Sequence, residues 1–172
     1  MSRHLLHSKN HYQTTTNSEP KGYIKRIIRD SDGNERGAVY RRGPDLPKHY
    51  SKDINRIEED YVGLHFPSRP TSDTVILVED IPSANAMDEF FPTVALLGVH
   101  LSEKKLEYLV NIGIRRVIIA LDNDATRQAI RLAKRFLITT HVLVLQKDLK
   151  DQTKEQLAEL ASKLKTRYQQ HE

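Results

Sequence analysis

The sequence predicts an α/β protein: a parallel four-stranded sheet flanked by helices, preceded by a small basic β-hairpin. Three observations predict it. Val75–Val78 and Val117–Leu121 are short β-branched and aliphatic runs without alternation, the pattern of strands covered on both faces. Each run ends abruptly in carboxylates, Glu79-Asp80 after the first and Asp122-Asn123-Asp124 after the second. From Thr74 onward, strand-like and helix-like segments alternate, which implies parallel strands joined by right-handed crossovers.

The elements follow in order. Residues 1–21 are polar, with the stretch Gln13–Ser18, and read as a flexible tail; its His4, His7 and His11 lack the cysteines or acids that usually complete a metal site. Residues 22–72 read as a basic subdomain. Gly22–Arg29 and Ala38–Arg42 are its hairpin strands, joined through Ser31-Asp32-Gly33-Asn34, where Asp-Gly suits a tight turn. Pro44, Pro47, Pro67 and Pro70 then mark residues 44–72 as irregular.

Residues 73–172 read as the main domain. Val75–Glu79 leads into a short helix with Pro82 in its first turn. Val94–Leu97 is the second strand, ended by Gly98, and Ser102 caps a helix to about Val110. Val117–Leu121 is the third strand, with Asp124 placed to cap a helix over Ala125–Phe136. His141–Leu145 is the fourth strand, followed by a polar loop over Gln146–Thr153. The last helix carries Leu157, Leu160, Ala161, Leu164 and Tyr168 at helical spacing.

Composition narrows the chemistry. There is no cysteine, which excludes disulfides and thiolate zinc sites, and no segment has the apolar length of a membrane span. These features predict a soluble cytoplasmic protein without a membrane partner. Residues 1–56 carry 12 Lys and Arg against 6 Asp and Glu, whereas residues 71–172 carry 14 of each. A basic front beside a neutral domain suits a polyanion.

In a parallel sheet all strands end at one edge, so Glu79, Asp122, Asp124 and the Lys147–Asp151 loop are predicted to share it. Like charges gathered there repel each other, and a hard divalent cation with oxygen ligands relieves that cost. Asp122 and Asp124 lie two apart, on the same side if the backbone stays extended. Glu79 could complete the coordination or accept a proton, Asp148 could bind a second metal, and Lys147 and Lys150 would offset phosphate charge. Taken singly, each segment also reads as a solvated turn or helix cap.

Val78-Glu79, Leu96-Leu97-Gly98, Leu121-Asp122-Asn123-Asp124-Ala125 and Lys147-Asp148 resemble, in that order and spacing, the Toprim domain of topoisomerases, DnaG-type primases, certain nucleases and recombination proteins. The resemblance covers roughly residues 73–151 and implies a Rossmann-like fold. Within the family, Glu79-Asp80-Ile81-Pro82-Ser83-Ala84 and Lys147-Asp148-Leu149-Lys150-Asp151 are most similar to bacteriophage primases, including the primase half of phage primase–helicases. Arg41-Arg42, Pro47-Lys48-His49-Tyr50 and Gly63–Pro67 resemble the basic subdomain that precedes Toprim there.

That resemblance implies a nucleotidyltransferase of DNA primase type, using Mg2+ or Mn2+ and no zinc. It would make short primers on single-stranded DNA from nucleoside triphosphates in phage-type replication, in a host cytoplasm. Glu79, Asp122 and Asp124 would be catalytic; with Asp148 they would hold metal. Arg41, Arg42, Lys48, Lys147 and Lys150 would contact nucleotide or template. A Toprim nuclease acting on RNA or DNA, and a non-catalytic replication accessory protein, share these features. Departures from the family are the absent cysteine-ligated zinc module and helicase domain, Leu149 in place of proline, and Ser83 where bacterial primases often have aspartate. A replicative helicase or a separate template-recognition protein is the partner these losses imply.

Overall fold

The computed structural model describes residues 18–98 and 100–168. The expected tail over residues 1–17, with its three histidines, lies outside them. The chain divides into two compact units. One contains the described residues up to Ile28 with Glu35–Tyr61; the other contains Arg29–Asn34 with the described residues from Val62 onward.

The first unit is built on a three-stranded sheet ordered β1-β2-β3, with β1 Tyr23–Arg29, β2 Glu35–Arg42 and β3 Asp53–Ile57. The hairpin follows the sequence expectation, but β3 corrects the reading of residues 44–72 as irregular throughout. Its apolar residues, Ile54 and Ile57, are three apart and give no two-residue rhythm. Pairing makes the strand: β3 runs antiparallel to β2, with Tyr40 opposite Ile54 and Gly37 opposite Ile57. Gly37 has φ 134°, and a Cβ there would meet the Arg56 carbonyl at 2.0 Å. Close strand approach therefore demands glycine.

The second unit holds a parallel sheet ordered β5-β4-β6-β7, with β4 Thr74–Val78, β5 Thr93–Ala95, β6 Arg116–Ile119 and β7 Thr139–Val142. Its helices are α1 Ile81–Asp88, α2 Glu103–Asn111, α3 Asn123–Arg135 and α4 Lys154–Tyr168. This is the α/β class predicted from sequence. Every residue of β4 is buried, which explains its unbroken apolar run. Val75, Leu77, Val94, Val117 and Ile119 join Leu64, Phe66, Leu106, Leu109, Ala129 and Ala133 in one core cluster. No helix among the described residues is long and apolar enough to cross a membrane.

Several boundaries differ from expectation: β2 begins at Glu35, β6 ends at Ile119 rather than Leu121, and the second and fourth strands of the parallel sheet also end early. The fourth strand is Thr139–Val142 rather than 141–145, because its partner β6 stops at Ile119, opposite Val142. Leu143 N makes one more bond, to Ile119 O (2.8 Å); Val144 beyond it is 86% exposed. The second strand stops at Ala95, although Leu96 N still bonds Val78 O (2.8 Å), and Leu97 then turns away at φ 55°.

Candidate functional site

Because the four strands are parallel, their C-terminal ends form one edge, and α1, α2 and α3 all begin there. Each of these helices has a side-chain cap. Asp80 Oδ1 accepts from Ser83 N (2.9 Å), Ser102 Oγ from Lys105 N (3.2 Å), and Asp122 Oδ1 from Ala125 N (3.0 Å). The capping residue of α3 is thus Asp122, not Asp124 as the sequence suggested. Asp124 sits in the first turn, where its charge favours the helix dipole. The extended backbone of Asp122 (φ −64°, ψ 168°) allows the cap, and the helix starts one residue later, so the extended run expected to set Asp122 and Asp124 on one side is not met: Asp124 lies in the helix.

Strands β4 and β6 are neighbours, with Leu77 paired to Ile119 and Ala120 N bonding Leu77 O (2.9 Å). Continuing that register sets Glu79 beside Leu121, one residue before Asp122. Glu79, Asp122 and Asp124 are all exposed. The Glu79 carbonyl accepts from Gly98 N (3.2 Å), so the turn after β5 is held against the same strand end.

The segment after β7 forms a 3-10 turn, Leu149–Asp151, anchored by the buried Leu149. Lys150 Nζ lies 2.6 Å from Asp80 Oδ2 and 3.7 Å from Asp148 Oδ2, so the fourth segment reaches the residue next to Glu79. Burial alone would raise the Asp80 carboxyl. The hydrogen bonds from Lys150 and Ser83 outweigh it and hold this acid below the usual carboxylate range. Lys150 is therefore engaged by two carboxylates, whereas Lys147 and Asp148 are exposed.

Asp80 and Lys105 were not singled out from sequence as members of this edge. Lys105 Nζ donates to Leu96 O (2.5 Å) and His100 O (3.4 Å), bracing the turn that contains Leu97 (φ 55°) and Gly98 (φ 147°). Burial pushes its ammonium down to about 8. Neither role leaves a local signal. The Asp80–Lys150 pair spans 70 positions, and Lys105 looks like any surface lysine on an amphipathic helix.

Arg41, Arg42 and Lys48 belong to the first unit. Arg42 Nη1 donates to the carbonyls of Lys48 (2.8 Å) and Tyr50 (2.9 Å), so this arginine shapes the 48–50 loop, while Lys48 is exposed.

Among the described residues, no three His, Asp or Glu side chains stand close enough to share one ion. The donor chemistry nevertheless fits magnesium. Hard carboxylate oxygens project from Glu79, Asp122 and Asp124 at a solvent-facing edge, and magnesium at phosphoryl sites commonly takes one or two carboxylates, with water and substrate phosphates as its other ligands.

No family model matches the sequence, and no curated protein matches it. Solved structures do. The Aquifex aeolicus primase (zinc-binding and RNA polymerase domains) aligns with a TM-score of 0.66 at 21% identity, over 83% of this chain and 40% of that one. The RNA polymerase domain of Mycobacterium tuberculosis primase DnaG aligns with a TM-score of 0.62 at 18% identity, over 81% and 54%. The E. coli primase catalytic core aligns with a TM-score of 0.57 at 19% identity, over 89% and 61%. A DnaG primase catalytic domain solved with bound single-stranded DNA aligns with a TM-score of 0.60 at 19% identity, over 83% and 51%. The chain thus has the fold of DnaG-type primase catalytic cores and spans about half the length of the structures it matches.

Proposed function

We propose that the chain is a magnesium-dependent nucleotidyltransferase of primase type, synthesising short primers on single-stranded DNA in the cytoplasm, a host's cytoplasm if the gene is viral. One observation carries the reading: Glu79 follows β4 and Asp122 follows the neighbouring parallel strand β6, with Asp124 in the first turn of α3, at the edge where three helices begin. The fold shared with primase cores supports it.

Glu79, Asp122 and Asp124 would hold Mg2+ or Mn2+, with Asp148 the candidate for a second ion. When bound, the metal would neutralise triphosphate charge and favour ionisation of the attacking hydroxyl. The protein's own part is positional. Asp122 Oδ1 is tied to Ala125 N, which restricts the rotation of its carboxylate. The bond from Gly98 N to the Glu79 carbonyl fixes the backbone from which that side chain projects, whether it holds the metal or, instead, accepts the proton of the primer 3′-hydroxyl. Lys147, exposed beside the edge, is free to meet phosphate. Lys150 would reach phosphate only by giving up Asp148, and its main task is to hold the 148–151 turn against α1. Arg41 and Lys48 would contact template or nucleotide phosphates, with Arg42 keeping their loop in shape. A helicase or separate template-recognition protein would direct the enzyme to its start sites.

Purified protein incubated with labelled nucleoside triphosphates, single-stranded DNA and magnesium tests this. Oligomer synthesis that Asp122→Asn abolishes supports it. Template shortening would instead mark a nuclease, and neither product would mark a binding protein.

A further inference from the structure

Beyond its first turn, the outer face of α3 carries charge of one sign only. Ala125, Ala129, Leu132 and Ala133 face the core. At 100° per residue, Arg127, Arg131 and Lys134 fall within one narrow stripe opposite them. All three are exposed. None has an ion-pair or hydrogen-bond partner among the described residues, whereas Arg135 beside them is bound to Glu103 (2.7 Å). An ordinary solvated helix intersperses signs at i, i+3 and i+4. Here Asp124 stands three residues before Arg127, but from there Arg127 meets Arg131, and Arg131 meets Lys134 and Arg135, with no further acid on the helix. The like-charge pairs along this stripe cost the helix some stability, and an external anion would relieve them.

We infer that this stripe is a track for the phosphate backbone of a single-stranded nucleic acid leaving the acidic edge. The helix begins at Asp122–Asp124, so a strand whose end lies at that edge is already at the head of the stripe. The three cations span about 10 Å along the axis, enough for successive backbone phosphates. No aromatic side chain lies in the stripe, so contact is to phosphate rather than to bases, and binding is indifferent to sequence. The inference extends the proposed polymerase reading but concerns binding alone, and it can stand or fall separately.

The test uses the full chain in EDTA, where no chemistry runs, and a labelled 20-nucleotide single strand followed by fluorescence anisotropy across a salt series. The triple variant Arg127→Gln/Arg131→Gln/Lys134→Gln is expected to bind ten-fold or more weakly near 0.1 M salt. The slope of log K against log salt should fall by about 2, from roughly 0.7 per lost phosphate contact. Arg127→Lys/Arg131→Lys, which keeps the charge, should retain most of the wild-type slope. Circular dichroism should show all variants folded. An unchanged slope in the glutamine variant would overturn the inference. So would displacement of the strand by polyglutamate at equal charge, or equally tight binding to phosphatidylserine vesicles. If wild-type protein makes no primers yet the slope falls as expected, the track stands and the polymerase reading does not.

Discussion

Lys150 Nζ contacts Asp80 Oδ2 at 2.6 Å, joining the turn after β7 to the residue that caps α1. The same carboxylate performs both tasks: Oδ1 caps, Oδ2 pairs. Asp80→Ala is therefore expected to cost more than an ordinary cap, about 1 kcal/mol for the cap itself and up to about 2 more for leaving Lys150 half-buried without this partner. A double-mutant cycle with Lys150→Met, followed by denaturant unfolding, should return a coupling of about 1 kcal/mol. Zero coupling would mean the pair is ornamental.

His65 links two backbone segments. Its Nδ1 accepts from Arg29 N (3.2 Å), its Nε2 stands 3.1 Å from Asn85 Oδ1, and its backbone pairs with Ala95 through two 3.0 Å bonds. Burial lowers its pKa below the usual histidine value. The folded state thus favours neutral imidazole, and protonation would destroy the Nδ1 acceptor. The stability this group adds is complete above about pH 6.5 and is lost as pH falls through its lowered folded value. Thermal melts between pH 7.5 and 5 should show a falling midpoint, and His65→Gln should flatten that fall. Parallel slopes for the two proteins would contradict the assignment.

Lys105 is expected to titrate near pH 8, against about 10.4 in an unfolded chain. Its lowered value means that stability attributable to this group rises with pH between those limits. Carbon-13 NMR of the lysine side-chain methylenes should show one resonance with a midpoint near 8, absent in Lys105→Met. In Lys105→Ala the Leu96 carbonyl loses its ammonium partner, at an expected cost of about 1–3 kcal/mol, and hydrogen exchange at Gly98 should quicken. Unaltered exchange would show that the turn holds its shape without the lysine.

The parallel sheet was legible in the sequence because β4 and β6 are buried on both faces and announce themselves as solid apolar runs. Caps at Ser102 and near Asp122–Asp124 were legible because capping is a local bargain between a short polar side chain and the next turn. β3 was not, since only its pairing with β2 makes Asp53–Ile57 a strand. The end of β7 was not, since the length of β6 decides it. At the site, the acids were visible one by one as strand ends. The Asp80–Lys150 pair was invisible because it joins two motifs 70 residues apart, and the Lys105 brace because a helix-surface lysine gives no sign that it turns back onto a carbonyl of the preceding turn.

The central claim is that the carboxylates of Glu79 and Asp122–Asp124 grip a divalent cation together with a triphosphate. Electron paramagnetic resonance of Mn2+ tests it most directly, titrating protein with and without a nucleoside triphosphate. Because the protein offers few ligands of its own, the account predicts weak Mn2+ uptake alone, marked tightening with the triphosphate, and loss of that tightening in both Glu79→Gln and Asp122→Asn. Tightening that survives both substitutions, or Mn2+ uptake indifferent to the triphosphate, would contradict it.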